Sequence, residues 1–316
     1  MKSSSIFYPS GTTQVTEYPT LKDSDVEFLE SNIDQMANLV VAMQNLIAQR
    51  VAAHFDVPQL TDAKAKVAIV NRNLPIANSY VDENGQLVVQ MDVRLLQATF
   101  RGALVSYIRE NAFFDEDDQD ESDDQLLQGF LDFRENTRDA KSGNLLGDLI
   151  GGGDRLSDMI DNAEKSDQIQ SRYLGTVIFV IAHELGHQVL RHNGACDTGK
   201  CDAFAARELA ADRYAGYLLG MMLAPLHVGF MGLMTDDPPY QLNGSKVFFD
   251  DAFNRIGFVD PSKSACNCAY PNSETRKKVS QAATDEAQDE FEKAVADDPS
   301  KVSKLTIMKF TKKPGN

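Results

Sequence analysis

Two histidines stand four residues apart and enclose a glutamate in the run His183-Glu184-Leu185-Gly186-His187. In a helix, positions i and i+4 lie on the same face, so the two imidazoles would converge on one point. This is the spacing that two ligands of a zinc ion require. Glu184 then falls beside the metal, where its carboxylate could take a proton from a metal-activated water. A surface helix with two ordinary histidines would contain the same short pattern.

A catalytic zinc ion also needs a third protein ligand and one open position. Glu208 lies 21 residues after His187, which leaves room for a turn and an antiparallel return of the chain. Asp212, one helical turn later, could accept the second N–H of a ligand histidine and fix its tautomer, or it could pair with a neighbouring arginine. We therefore predict one zinc ion per chain, held by His183, His187 and Glu208.

Two further histidines are weaker candidates for the site. His192 follows His187 by five residues without the glycine and the longer gap of the metzincin pattern. We predict that it supports a ligand or has a structural role, rather than binding the metal. His227 is isolated in the sequence. We therefore expect an exposed histidine, or a buried one whose ring nitrogens are hydrogen-bonded. Its alternative role is a hydrogen bond to the oxyanion of a transition state.

The four cysteines form two local clusters, Cys196 with Cys201 and Cys266 with Cys268. They could form disulfides, which would indicate an oxidising compartment. A four-thiolate zinc site is a second interpretation, although neither cluster has the common two-residue gap. Free thiols are the third.

The 316 residues carry a net charge of −16, with 42% apolar and 25% charged residues, as in an ordinary globular protein. The acidic balance disfavours nucleic acid as a partner, because phosphate binding needs clustered Lys and Arg. No apolar run approaches the roughly 20 residues needed to span a bilayer. Since no signal peptide is visible, a cytoplasmic location is the expectation at face value. A periplasmic or secreted location is expected if the cysteines form disulfides and a leader is missing.

Apolar periodicity predicts an α+β fold, mainly helical with a small β-sheet. A single domain is expected over 23–300, with tails at 1–22 and 301–316. The block DEDDQDESDD belongs to an acidic insertion at about 112–168. A turn is predicted at Asp82-Glu83-Asn84-Gly85. The predicted helices are about 24–54, 93–111, 170–193, 203–223 and 273–297, and the predicted strands are 67–70, 76–81 and 86–91.

Beyond these patterns, the chain resembles the gluzincin metallopeptidases that include the heat-shock protease HtpX and the CAAX prenyl proteases. The His183–His187 motif is one match. Glu208-Leu209-Ala210-Ala211-Asp212 is similar to the family's E-x-x-A-D motif. Tyr270-Pro271-Asn272-Ser273-Glu274-Thr275-Arg276 is similar to H-P-P-x-x-x-R, with Tyr270 in the His place and Asn272 in that of the second Pro. The resemblance implies a zincin-like fold, with Arg276 near the metal and available to stabilise an oxyanion.

An upstream match extends the resemblance to the sheet. Asn78-Ser79 and Gly85-Gln86-Leu87-Val88-Val89 resemble the family's N-A-F…G-G-x-I-x-V segment. The resemblance implies that strand 86–91 is an edge strand over the metal-binding helix. Leu87, Val88 and Val89 would then hold an extended substrate by their backbone, as an unpaired edge can.

The expected activity is that of a zinc-dependent metalloendopeptidase acting on extended or unfolded proteins. The alternative is a latent or inactive protein of the same fold, which binds partners in the manner of a chaperone while the acidic insertion covers its cleft. A structural zinc protein fits less well, because structural sites are closed and usually rich in cysteine. The oligomeric state is left open.

Overall fold

A computed structural model describes residues 33–34, 36–38, 40–42, 55, 65–70, 77–96, 99–100, 103, 163–192, 201–233, 268 and 271–297. Within these residues the protein is mainly helical with one small sheet, which confirms the predicted α+β class at this level. No helix among the described residues is long and apolar enough to cross a membrane. The elements are β1 (Ala65–Val70), β2 (Ala77–Val81), β3 (Leu87–Asp92), α1 (Ala163–Val189), α2 (Cys201–Leu233) and α3 (Ser273–Asp297).

The three strands form a sheet in the order β1-β3-β2, in which β1 runs parallel and β2 antiparallel to β3. The predicted turn between β2 and β3 is confirmed. Asp82 organises it, because one carboxylate oxygen accepts the backbone N–H groups of Asn84 and Gln86. Gly85 adopts a φ of 77°, which a residue without a Cβ adopts at no steric cost.

The position of β3 corrects the expectation of a substrate-binding edge at Leu87, Val88 and Val89. Both sides of this strand are paired, one with β1 and the other with β2, and all three residues are buried. Its backbone groups are therefore already used within the sheet. The expectation did not allow for the parallel pairing of β1, which brings the short run from Val67 to Val70 against the far side of β3.

The three long helices lie where they were predicted, but the bounds of α1 and α2 differ from the predicted ones. Helix α3 has the predicted bounds, whereas α1 begins within the segment assigned to the acidic insertion and α2 continues ten residues beyond the predicted end at 223. The described residues between 33 and 42, and those from 93 to 103, are helical as predicted. Both tails, most of the insertion, Cys196 and Cys266 lie outside the described residues.

The apolar faces of α1 and α2 contribute many of the core residues, and the predicted metal ligands lie at buried positions of the same two helices. On α1, Val177, Val180 and Ile181 are fully buried in the turns just before His183. On α2, Tyr214 and Leu218 are equally buried. Burying each such side chain contributes about 1.5–3 kcal/mol, so the two helices are held firmly where they approach each other.

Helices α2 and α3 run parallel and meet along one line of small and polar residues, which we call the α2–α3 seam. Residues that face each other across the seam are 64 positions apart in the sequence, and this separation is the same for three successive pairs. The hydroxyl of Thr284 donates to the carbonyl oxygen of Gly216 at 2.8 Å, so the backbones are in close contact. The facing pairs are Asp212 with Arg276, Gly216 with Ser280, and Gly220 with Thr284.

Replacing Gly216 with alanine is expected to lower the free energy of unfolding by about 1–3 kcal/mol, as overpacking does. A Cβ at this position would overlap the carbonyl oxygen of Ser280, which is backbone and cannot rotate away. Helix propensity acts in the opposite direction, because alanine is favoured over glycine by about 1 kcal/mol. Urea unfolding of the variant measures the net sign. Ala206→Gly, at an exposed position of α2, is the control that reports propensity alone. A Gly216→Ala variant more stable than wild type would contradict the packing described here.

A disulfide joins Cys201, the first residue of α2, to Cys268, five residues before α3. The two Cα atoms are 5.2 Å apart. The disulfide interpretation therefore holds for these two cysteines, and the bond connects the two sequence clusters. It ties the beginning of α2 to the segment that leads into α3, at the end of the seam nearest to Asp212 and Arg276.

Candidate metal centre

His183 and His187 lie one turn apart on the buried face of α1, as their spacing predicted. Their Nε2 atoms are 3.1 Å apart and the two rings are nearly perpendicular. Both side chains are buried. Two imidazole nitrogens at this separation point towards a common position, which is the arrangement of two ligands of one metal ion.

Glu208 on α2 completes a set of three candidate metal ligands. Its carboxylate oxygens lie 3.4 Å from Nε2 of His183 and 3.6 Å from Nε2 of His187. The three side chains form a buried group that could hold a metal ion. Donor atoms around a tetrahedral zinc ion, with bonds of about 2.0–2.1 Å, are about 3.3 Å apart, so the separations and chemical types are compatible with zinc.

Asp212 lies behind His183, on the side of the ring away from the other two donors. One carboxylate oxygen is 2.9 Å from Nδ1 of His183. A carboxylate at this atom accepts the Nδ1 proton and leaves the lone pair of Nε2 for a metal. Asp212 therefore lies where it could select the tautomer of His183.

Arg276 lies beside the candidate ligands, where it contacts Asp212 and Glu208, and its expected role in stabilising an oxyanion stays a prediction. Its Nε and Nη2 atoms donate to the two oxygens of Asp212 at 2.7 and 2.8 Å. Nη2 also lies 3.7 Å from Glu208. The side chain is 1% exposed and is engaged with carboxylates of the centre. Arg276 is thus a positioning residue.

Asn272 caps the start of α3. Its side-chain oxygen accepts the backbone N–H of Thr275 at 2.8 Å, so Asn272 is the N-cap of the helix that carries Arg276. This cap helps to fix where the helix begins, and with it the placement of Arg276.

His227 lies beyond Glu208 on α2, and its proposed role in oxyanion stabilisation stays a prediction. It lies on the same continuous helix as Glu208, 19 residues further along. At a rise of 1.5 Å per residue, this separates the two residues by roughly 28 Å along the axis. The sequence prediction ended this helix before residue 227, and so left a return towards the site open.

Glu184 is buried beside His183, and its backbone connects the metal helix to the sheet. Its carbonyl oxygen accepts the hydroxyl of Ser79 on β2 at 2.7 Å. The side-chain amide of Gln188 donates to the same hydroxyl oxygen at 2.9 Å. These bonds attach β2 to the helix at the position of Glu184. These roles of Ser79 and Gln188 were not predicted from the sequence. The sequence feature that could have indicated this contact is Ser79, a polar residue at an inward-facing position of a predicted strand.

The two carboxylates of the centre are held in their ionised forms. Burial alone would raise the pKa of Asp212, but the charge and hydrogen bonds of Arg276, together with those of His183, lower it below its usual value. Burial would likewise raise the pKa of Glu208, and the two histidines and Arg276 lower it. Ionised carboxylates are what a metal ligand and its supporting acceptor require.

The three histidines of the centre differ in their surroundings. Burial would lower the pKa of His183, but hydrogen bonds to Asp212 and Glu208 raise it to about 9. For His187 burial dominates, and its pKa lies well below the usual value although Glu208 acts in the opposite direction. Burial also lowers the pKa of His192 to about 4, which keeps this ring neutral.

Comparison of the chain with family models, with curated proteins and with solved structures finds no match. Functional interpretation of the centre therefore rests on the geometry described above and on the motifs in the sequence.

Proposed function

We propose that the protein is a zinc-dependent metalloendopeptidase that hydrolyses peptide bonds of extended or unfolded protein substrates. The observation that carries the proposal is the buried set of His183, His187 and Glu208, with Glu184 next to the first ligand. Three protein ligands of these types are typical of a catalytic zinc ion, whereas structural sites use four and favour cysteine. The resemblance to the HtpX and CAAX prenyl protease family supports the same reading.

The roles of the side chains follow from their positions. His183, His187 and Glu208 would hold the ion. When bound, zinc supplies a Lewis acid that polarises the scissile carbonyl and lowers the pKa of water towards about 7. Glu184 takes the proton of the attacking water and passes it to the leaving amine.

The direct test measures bound metal and cleavage together. We expect the protein, purified without added metal, to hold one zinc ion per chain and to cleave casein. Glu208→Gln removes the anionic ligand and is expected to lower zinc affinity at least tenfold, by order of magnitude, with a parallel loss of cleavage. Glu274→Gln, which alters an exposed surface pair with Lys278, is the control. A wild-type protein that holds no zinc after reconstitution would refute the proposal.

The burial of the centre favours a second candidate, a latent or inactive protein that binds partners. Glu208 is only 2% exposed, and both ligand histidines are less exposed still. A protein of this kind would bind zinc with the affinity expected of the ligand set but would leave casein and short unfolded peptides intact. Full zinc occupancy without cleavage would therefore favour this candidate over the peptidase.

A further inference from the structure

The C-terminal end of α1 turns back on itself directly after the ligand His187. The backbone N–H of His192 donates to the carbonyl oxygen of His187 at 2.8 Å, and that of Arg191 donates to Gln188 at 3.1 Å. These two bonds define a Schellman motif, in which the residue after the helix adopts a left-handed conformation. Here that residue is Arg191, with a φ of 55°.

The left-handed conformation is unusual for arginine and costs about 1–2 kcal/mol relative to glycine or to an ordinary helix end. Because Arg191 adopts this conformation, the chain bends away from the helix axis and the ring of His192 lies against the ring of His187. The Nδ1 atoms of the two rings are 2.9 Å apart, and the ring centroids are 5.1 Å apart. A hydrogen bond therefore joins these two nitrogen atoms.

The direction of this bond follows from the metal site. Nε2 of His187 faces the other two donors, so in a metal-binding imidazole the ring proton must be on Nδ1. Nδ1 of His187 is then the donor and Nδ1 of His192 the acceptor. His192 in turn must carry its own proton on Nε2.

We propose that His192 is a positioning residue for the metal ligand His187, which it holds in the tautomer and orientation that zinc requires. The inference rests on the proposed metal site and deepens it. His183 has the equivalent support from Asp212, so each ligand histidine has its own acceptor. The acceptor for His187 is a neutral ring, which adds no further negative charge beside Glu208 and Asp212.

Two variants of nearly the same shape separate this role from simple packing. In asparagine, Oδ1 is attached to Cγ as Nδ1 is in histidine, so His192→Asn retains an acceptor at that position. His192→Leu has the same branching without an acceptor. Zinc affinity is measured by competition with a chromophoric chelator, and the visible spectrum of the cobalt-substituted protein reports ligand geometry.

We expect His192→Leu to lower zinc affinity about 10- to 100-fold and to alter the cobalt spectrum, as loss of such a supporting bond does. His192→Asn should remain close to wild type in both measurements. Arg191→Gly, which preserves the left-handed turn, is the control and should bind zinc as wild type does. Should His192→Leu fail to fold, His192→Ala takes its place, since it only removes atoms from a partly exposed site.

Equal affinity of wild type, His192→Leu and His192→Asn would overturn the inference while leaving the zinc site standing. Equal loss in the leucine and asparagine variants would also overturn it, because the shape of histidine and not its acceptor would then matter. Absence of zinc binding by the wild-type protein would instead refute the proposed function, and this inference with it.

Discussion

Glu184→Gln is expected to slow peptide cleavage by roughly 10²- to 10⁴-fold, the usual contribution of a general base, and to leave bound zinc unchanged. Glutamine has the size of glutamate but cannot take a proton from water. Glu184 is buried next to the ligand His183, and its side chain is not one of the three donors. The measurement is kcat/KM on an unfolded protein substrate, with zinc content determined on the same samples.

Glu274→Gln provides the matched control for this result, because it makes the same chemical change at an exposed position on α3. It should cleave at the wild-type rate. A Glu184→Gln protein that retains zinc and cleaves as fast as wild type would show that the proposed mechanism is wrong. Loss of zinc together with activity would assign Glu184 to the metal site itself.

Arg276→Met is expected to lower the free energy of unfolding by about 3–5 kcal/mol, the usual effect of breaking a buried ion pair. Asp212 would remain buried beside an apolar side chain, without the two hydrogen bonds from Arg276 and with its contact to His183 retained. Zinc affinity should fall as well, because Asp212 would no longer be fixed behind His183. Urea unfolding of the chelator-treated protein measures the first effect, and chelator competition the second.

A second pair between the same two helices supplies the control. Arg213 on α2 and Glu286 on α3 are 3.3 Å apart, but Arg213 is 44% exposed. Arg213→Met should therefore change stability by only about 0–1 kcal/mol. The double variant Asp212→Asn with Arg276→Met should recover much of the stability lost on Arg276→Met alone, because no buried charge remains unpaired. A loss below about 1 kcal/mol for Arg276→Met would contradict the burial and the bonding described here.

Sequence spacing was sufficient to predict the parts of the centre that lie within one helix. His183 and His187 share a face of α1 because they are four residues apart, and Glu208 and Asp212 share a face of α2 for the same reason. Apolar residues before His183 indicated that this face is buried. Helical periodicity is a local property, and for that reason the ligand set could be read before the structure was known.

The parts that could not be predicted depend on contacts between elements distant in sequence. The role of Arg276 follows from the parallel alignment of α2 and α3, which no local pattern encodes. The pairing of Cys201 with Cys268 depends on the same alignment. The position of β3 inside the sheet depends on parallel pairing with β1, a strand that precedes it by about twenty residues, whereas periodicity reports only which faces are buried.

The constant offset along the α2–α3 seam links the candidate metal centre to the packing of the two helices. A helix repeats every 5.4 Å, so α3 can match α2 only at discrete positions one turn apart. A shift by one turn would place Arg276 opposite Gly216, and a smaller shift would drive the backbone of α3 against residues that carry side chains. Arg276 therefore either forms its hydrogen bonds with Asp212 or is one helical turn away from it. The packing of the two helices and the placement of Asp212 behind His183 therefore depend on the same contacts.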